Sequence, residues 1–386
     1  MFDFLPNETQ SLVQTTARGF AERELAPRAA QLDRDGVFPR GTLRRAAELG
    51  LLGINVPDLL GGTEAGAVAY SLAITELARA CAATTVAICV SNMVAEVISN
   101  FGTSDQRAEH VPRLCSGEYI VGGFALSEAG AGSDPGSITT RAERTDSGWA
   151  INGAKLWITS GTDAGLFVVW ARTNRAPGTR GLSAFLVPGD APGVVRGQPE
   201  EKMGQHGSTT TSLGFVDVRL APEALLGEEG KGFRVAMMAL DGGRIGIASL
   251  ALGVGRAAFD VALAYAQQRR QFSRPIASFQ GIQWLLADSD TELDAASLMI
   301  LRAAWLKQQR KAYTRAACMA KLYASEKSFS VCNRAIQILG GCGYAREYHV
   351  ERYLRDVRVT SIYEGTSEIQ RLVLARDIAK RFADRI

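Results

Sequence analysis

Apolar positions along the chain change their period twice. Over the first 120 residues they recur at steps of three to five: Val13, Ala17, Phe20 and Leu25, then Leu43, Ala46 and Ala47, then an Ala-rich stretch reaching about Asn100. That spacing predicts helices. Asn7 with Gln10 and Thr103 with Gln106 have capping-box spacing. Asp35-Gly36 and Gly50 mark helix ends, and Pro112 is expected to close the last helix early. Residues 80–95 carry no charge but include Thr84, Thr85, Ser91 and Asn92; the run is short for a membrane span and predicts a buried helix. No chemistry stands out in this third of the chain.

Between 121 and 231 the apolar period becomes two, or a short continuous run: 148–153, Leu166–Trp170, Ala184–Val187 and Leu213–Val218. Turn signals fall between them at Asn152-Gly153, Pro188-Gly189-Asp190 and Pro192-Gly193. From 232 onward helical spacing returns with Ile247, Leu250, Val254, Ala257, Val261 and Ala264. It continues through 279–308 and 314–339, where Gly340-Gly341 supplies a stop, and resumes after Ser367 with Ile369, Leu372, Val373 and Ile378. Four helices are enough for a bundle. The fold class expected is α+β: an N-terminal α-helical domain over 1–120, a middle β domain over 121–231, and a C-terminal four-helix bundle over 232–386.

Composition changes this picture little. With 46% hydrophobic and 22% charged residues the chain is ordinary for a globular protein. A net charge of +3 and a pI near 8.5 give no field that would draw nucleic acid or a membrane. The six cysteines include no C-x-x-C pair and sit mostly among helical apolar residues, as reduced core thiols of a cytoplasmic protein do. His110, His206 and His349 lie far apart, without metal-ligand spacing, so no metal site is expected. The opening MFDFLPNETQ lacks the basic and then apolar runs of a signal peptide. The expected location is cytoplasmic, with no membrane insertion.

Four stretches could carry chemistry. In IYEGTSEIQ, Glu364 precedes a helix capped either by Ser367 with Gln370 or by Thr366. It is either a surface Glu beside a helix cap or a carboxylate held in place on a Gly-containing loop yet able to reach into a cleft. FALSEAGAGSD, 124–134, contains G-x-G, but Pro135-Gly136 and a strand-like Ser137-Ile138-Thr139-Thr140 follow it. A dinucleotide-binding Rossmann turn passes from strand to helix, so that reading is rejected. The loop still offers backbone N–H groups and the hydroxyls of Ser127 and Ser133 to an anionic or carbonyl-rich ligand. KLWITSG, 155–161, carries Trp157, which either stacks on an aromatic cofactor or fills the core. In RRQFSRPIASFQ, 269–280, Arg269 and Arg270 form either a solvated helix end or a phosphate or cofactor clamp.

Together with EKMGQHGS at 201–208, LDGGRIGIA at 240–248, QILGGCGY at 337–344 and ERYLRDVRVTSIYEGTSEIQ, and in this order, these segments resemble the acyl-CoA dehydrogenase family. The likeness covers nearly the whole chain and is strongest from about 120 to 376. It implies FAD held by Phe124, Ala125, Leu126, Ser127, Gly132 and Ser133, by Trp157, Ile158 and Thr159, and by Thr366, Ser367 and Glu368. Arg269, Phe272, Gln280, Gln337, Ile338, Leu339, Gly340 and Gly341 would serve FAD at positions that in the family include contacts from a neighbouring subunit. Acyl-CoA is expected at Ser133, Asp241, Arg244 and Gly365. Glu364 would be the catalytic base, with no carboxylate at Gly242 or Gly243 to rival it. Departures from the family pattern are Ala129 for Pro, Ser273 for Gly, His349 for Pro and Ser212 for an acidic residue.

The resemblance further implies α,β-dehydrogenation of an acyl-CoA thioester to the 2-enoyl-CoA. Glu364 takes the α-proton as the β-hydrogen leaves as hydride to the flavin, and electrons then pass to an electron-transfer flavoprotein. A homotetramer built as a dimer of dimers is expected, acting on short or branched short acyl chains. An acyl-CoA oxidase, a dehydrogenase of acyl groups on acyl carrier protein, and a non-catalytic scaffold are the alternatives.

Overall fold

The computed structural model describes residues 5–383; the first four residues, part of the stretch read for a leader, and the last three lie outside it. Helix α1, Glu8–Phe20, opens on the expected capping box: Gln10 N donates to Asn7 Oδ1 at 2.9 Å and Asn7 N to Gln10 Oε1 at 3.0 Å. One π-helical turn, Ala21–Leu25, shifts the phase before α2, Ala26–Asp35, which ends on left-handed Gly36. Helix α3 spans Arg40–Glu48.

The Ala-rich stretch is two helices rather than one: α4, Gly66–Ala80, and α5, Ala82–Phe101. The break is Cys81, in extended backbone with φ −154° and ψ 102°; no Gly or Pro announces it in the sequence. Helix α5 is the buried helix expected, with 89% of its most apolar window inside the fold. Its Asn92 is fully engaged there, accepting from Ile54 N and donating to Leu51 O and Ile88 O. Helix α6, Ser104–Cys115, starts at the Thr103–Gln106 box but is not closed by Pro112. A proline this near the end removes few helical hydrogen bonds, and the helix runs three residues further.

The middle of the chain is one mixed sheet. Its strands are β1, Gly122–Ala125; β2, Arg141–Thr145; β3, Gly148–Thr159; β4, Leu166–Arg172; β5, Leu182–Pro188; β6, Val194–Arg196; β7, Thr210–Leu220; and β8, Leu225–Leu226. The order is β6-β7-β3-β2-β4-β5-β8, with β1 parallel to β4. Residues 137–140, expected as strand, instead form a short 3-10 turn and an irregular link. Asn152-Gly153 is no turn either: it lies within β3, where Gly153 has φ +147° at a bulge against β7. A second bulge between Lys155 and Ile158 puts Trp157 at φ +63° and turns its ring outward, 59% exposed. Trp149 and Trp170 are the core tryptophans; Trp170 Nε1 donates to Gly232 O at 2.7 Å, tying β4 to the next helix.

That helix, α7, runs from Gly232 to Gln268 and is the spine of the C-terminal domain. Helices α8, Gln280–Gln308, and α9, Thr314–Leu339, pack along it. A short α10, Val350–Arg358, precedes α11, Ser367–Ala383, which lies on α9. The fifth helix is an addition to the four expected. Helix α4 of the N-terminal domain also packs on α7 and α8, so the two helical regions share one apolar core.

Candidate active site

Glu364 is placed by a chain reversal between α10 and α11. The backbone is left-handed at Glu364, φ +52°, and at Gly365, φ +91°. Thr366 is the N-cap: its Oγ1 accepts from Ile369 N at 3.3 Å and its carbonyl from Gln370 N at 3.0 Å. Of the two caps read in the sequence, this is the one used. Gln370 does another job, its side-chain amide donating to Gly365 O at 2.9 Å and Glu364 O at 3.3 Å. Lys321 Nζ of α9 donates to the same Gly365 carbonyl at 2.8 Å.

So held, the carboxyl group points at α7. A Cβ added at Gly243 would stand 2.2 Å from Glu364 Oε2, so bare glycine is what lets the carboxylate lie there. Oε2 is buried and has no hydrogen-bond partner. Burial pushes this carboxyl up to about 7, against the pull of the Lys321 and Arg244 charges. One step along α7, Arg244 is bonded to Asp241, and Asp241 Oδ2 accepts from Thr314 Oγ1 at 2.5 Å. Tyr70 of α4 presses its hydroxyl on Gly246, and Lys307 pairs with Glu96 of α5 beside Gly242. Helices of the N-terminal third thus wall the site, although no chemistry was legible in them.

Behind Glu364, the 201–208 segment of the β region acts as a prop. Gln205 donates from Nε2 to Tyr363 Oη at 3.3 Å and to Asp356 O at 3.0 Å, and from its backbone N to Asp356 Oδ1 at 2.5 Å. Asp356 is fully buried there, which pushes its carboxyl up to about 6.

The loop after β1 is the second feature. Leu156 N donates to Ser127 O at 2.9 Å, joining the 124–133 segment to the 157–159 strand end. Between them Glu128 accepts from Thr139 N, Thr139 Oγ1, Thr140 N and Lys155 Nζ, the last at 2.8 Å, and Lys155 also donates to Leu126 O. These bonds hold the Glu128 carboxyl at about 2 although burial opposes them. The result is a rigid loop whose outer face, Ala129 to Asp134, is mostly exposed; Gly130 and Gly132 have open space where a side chain would be. Ala125, Leu126 and Ile158 turn their side chains into the core, leaving only backbone for a ligand. Asn and Ser-like turn chemistry does not reveal this pair in the sequence; a Glu and a Lys in otherwise apolar or small-residue runs could have.

Arg269, Phe272, Gln280 and 337–341 do not join these groups. Arg269 caps the far end of α7, some 26 residues beyond Gly243, or about 40 Å at 1.5 Å per residue. Phe272 and Ser273 form the tip of a hairpin between β9, Arg270–Gln271, and β10, Arg274–Pro275, with Phe272 89% exposed. Gln280 starts α8, and Gly340 ends α9. Ile338 and Leu339 are buried in the core, so they present no side chain to a ligand. Gly340 and Gly341 face open space. All six cysteines are free thiols, as expected, and among the described residues no cluster could hold a metal ion.

Comparison with known proteins gives this geometry its family. The chain matches the acyl-CoA dehydrogenase N-terminal domain over residues 7–118, the middle domain over 123–218 and the C-terminal domain over 230–379. It is 46% identical to the mitochondrial short-chain specific acyl-CoA dehydrogenase of Mus musculus, across 97% of this chain and 91% of that one. It superposes on butyryl-CoA dehydrogenase from Megasphaera elsdenii with a TM-score of 0.96 at 38% identity, covering 98% and 100% of the two chains. A chain from the electron transferring flavoprotein study of Acidaminococcus fermentans gives the same TM-score and identity, with 98% and 99% covered. This chain belongs to the acyl-CoA dehydrogenase family.

Proposed function

We propose that this protein oxidises acyl-CoA thioesters to 2-enoyl-CoA, with FAD as cofactor and Glu364 as the base. The observation that carries the reading is Glu364 itself: a carboxylate with a buried, unpartnered oxygen, set against a helix stripped to glycine. A group titrating near 7 is half ionised at neutral pH, and is then matched to taking a proton from a weak carbon acid. The backbone N–H of the same turn is available to the thioester carbonyl, where charge grows as the proton leaves. The buried Arg244 and its partner Asp241, beside Glu364 on α7, would receive the polar part of the carrier.

The residues fit FAD. Open glycines at 130 and 132, exposed Ser133 and the outward ring of Trp157 form a cradle on a loop that Glu128 and Lys155 make rigid. Bound there, FAD would supply the acceptor for the hydride, which carries the electron pair. The second group, Arg269, Gln280 and 337–341, lies too far along α7 to serve the same cofactor. A neighbouring copy would use it, which supports a homotetramer of dimers. The likeness to the chain from the electron transferring flavoprotein study supports such a flavoprotein as acceptor. Relatives named for short-chain and butyryl substrates favour a short acyl chain.

The test is Glu364→Gln. It keeps size and much of the hydrogen bonding but accepts no proton. The variant should fold, stay yellow and bind acyl-CoA, while anaerobic flavin reduction slows by a factor of about 100 to 10,000. Reduction at close to the native rate removes Glu364 from the mechanism.

A further inference from the structure

Helix α9 carries a small-residue stripe, Ala317, Ala320, Ala324 and Ser328, and one charged residue stands in it. Lys321 is fully buried. Burying an ammonium is costly unless something is gained by it. Among the described residues no carboxylate lies within ion-pair distance, and the one hydrogen bond of Nζ is to Gly365 O. That carbonyl belongs to the left-handed turn carrying Glu364, and Gln370 grips it from α11. The base is therefore clamped from two helices at a single backbone atom.

Charge gives the clamp a second consequence. The titratable groups around the Glu364 carboxyl and on the elements packed against it are Tyr70 of α4, Cys89 and Glu96 of α5, Asp241 and Arg244 of α7, Lys307 of α8, Cys318 and Lys321 of α9, Tyr363, and Glu368 of α11. Three of these are cations. Arg244 is already bonded to Asp241 and Lys307 to Glu96, which offsets their charge. Lys321 has no such counter-ion. It is also the larger of the two charges pulling the Glu364 carboxyl back down, and burial brings its own ammonium to about 8.

We propose that Lys321 is the positioning residue of the base: it fixes the 364–365 turn through the Gly365 carbonyl, and its uncompensated charge keeps the neighbouring carboxylate ionised. The proposal rests on Glu364 being the base. Removing the ammonium takes away what favours the carboxylate, so the Glu364 pKa rises and less base is ionised at any pH below it. Gly365 O loses one of its two ties but keeps the bond from Gln370, so the turn should loosen without unfolding.

The experiment compares Lys321→Met with the native protein, both loaded with FAD. The protonated carboxyl stretch of Glu364, identified by its loss in Glu364→Gln, is followed by infrared spectroscopy without substrate as pH is varied. In Lys321→Met this titration should move up by a pH unit or more, about tenfold in the ionisation ratio. The acid limb of kcat should move with it, while FAD occupancy and KM for acyl-CoA stay within about twofold. If Lys321→Met does not fold, Lys321→Gln, which keeps a donor but no charge, should show the same direction. A folded variant of either kind whose Glu364 titrates where the native one does overturns the proposal. Native-rate flavin reduction by Glu364→Gln would instead remove the base assignment, and the infrared titration would still decide whether Lys321 sets this carboxyl.

Discussion

Gly243→Ala tests the site geometry with one methyl group. The new Cβ would lie 2.2 Å from Glu364 Oε2, 2.8 Å from Cδ and 3.1 Å from Oε1. An unstrained carbon–oxygen contact is about 3.3 Å, so the carboxylate must withdraw by about 1 Å. It has little freedom to do so by backbone movement, because Gln370 and Lys321 hold the carbonyls of the turn. A misplacement of about 1 Å at a reacting group costs about 100-fold in rate. Stability should respond much less. Replacing Gly by Ala inside a helix gains about 1 kcal/mol, while the overpacking costs about 1–3 kcal/mol. The assay is anaerobic flavin reduction with a short acyl-CoA, read beside a thermal melt. The expected result is a melt within a few degrees of native and reduction slowed by about two orders of magnitude. A normal melt with reduction within about threefold of native would mean that the working carboxylate does not occupy the space over Gly243.

Other consequences follow from the same groups. With Glu364 titrating near 7 and only its carboxylate able to accept a proton, flavin reduction at pH 6 should be about tenfold below its plateau, measured by rapid mixing at fixed ionic strength. Ser273 sits at φ +64° at the hairpin tip, so Ser273→Gly should raise stability by about 0.5–1 kcal/mol, read from denaturant midpoints at one protein concentration. Lys155→Met leaves Glu128 buried without its cation and should cost about 3–5 kcal/mol, with FAD lost on gel filtration before the fold melts. Because the Glu128 carboxyl is held at about 2, its contribution is complete above the usual carboxylate range and is lost progressively as pH falls from that range to about 2, which acid unfolding of the Glu128→Gln variant against native would expose.

Much of the molecule was legible because periodicity and caps are local. The Asn7 and Thr103 boxes, the Gly36 and Gly340 stops and the runs that became β4, β5 and β7 depend on neighbours within a few residues. What escaped depends on tertiary context. Cys81 breaks the Ala-rich helix with no breaker residue, and Gly153 looks like a turn yet relieves a close approach to Thr140 from inside a strand. The candidate Glu364 was legible because its loop carries a motif; the buried Lys321 was not, because a lysine in a helix is usually solvated. One signal was present: Lys321 lies four residues after Ala317 and three before Ala324, squarely on the buried face. Glu96, in a helix otherwise without charge, gave a similar hint of the wall that the N-terminal third builds around the site.

The distribution of unmet polar atoms points the same way. Ten buried side-chain atoms among the described residues lack a hydrogen-bond partner, and four of them belong to Arg244, Glu364, Ser367 and Gln370. Such atoms are uncommon in well-packed proteins and each costs stability. They gather at one turn and the helix facing it, where glycines at 242, 243 and 246 let Lys307, Glu364 and Tyr70 approach the α7 backbone closely. Strain accompanies them, in a glutamate held left-handed where most residues would cost about 1 kcal/mol or more. A fold selected only for stability would pair the carboxylate and relax the turn. Keeping the carboxylate unpaired leaves its lone pairs for a proton, and the bare helix gives that carboxylate the space in which to stand. The rigid clamp at Gly365 is then what keeps so unfavourable an arrangement from collapsing into an ion pair between Glu364 and the nearby Lys321.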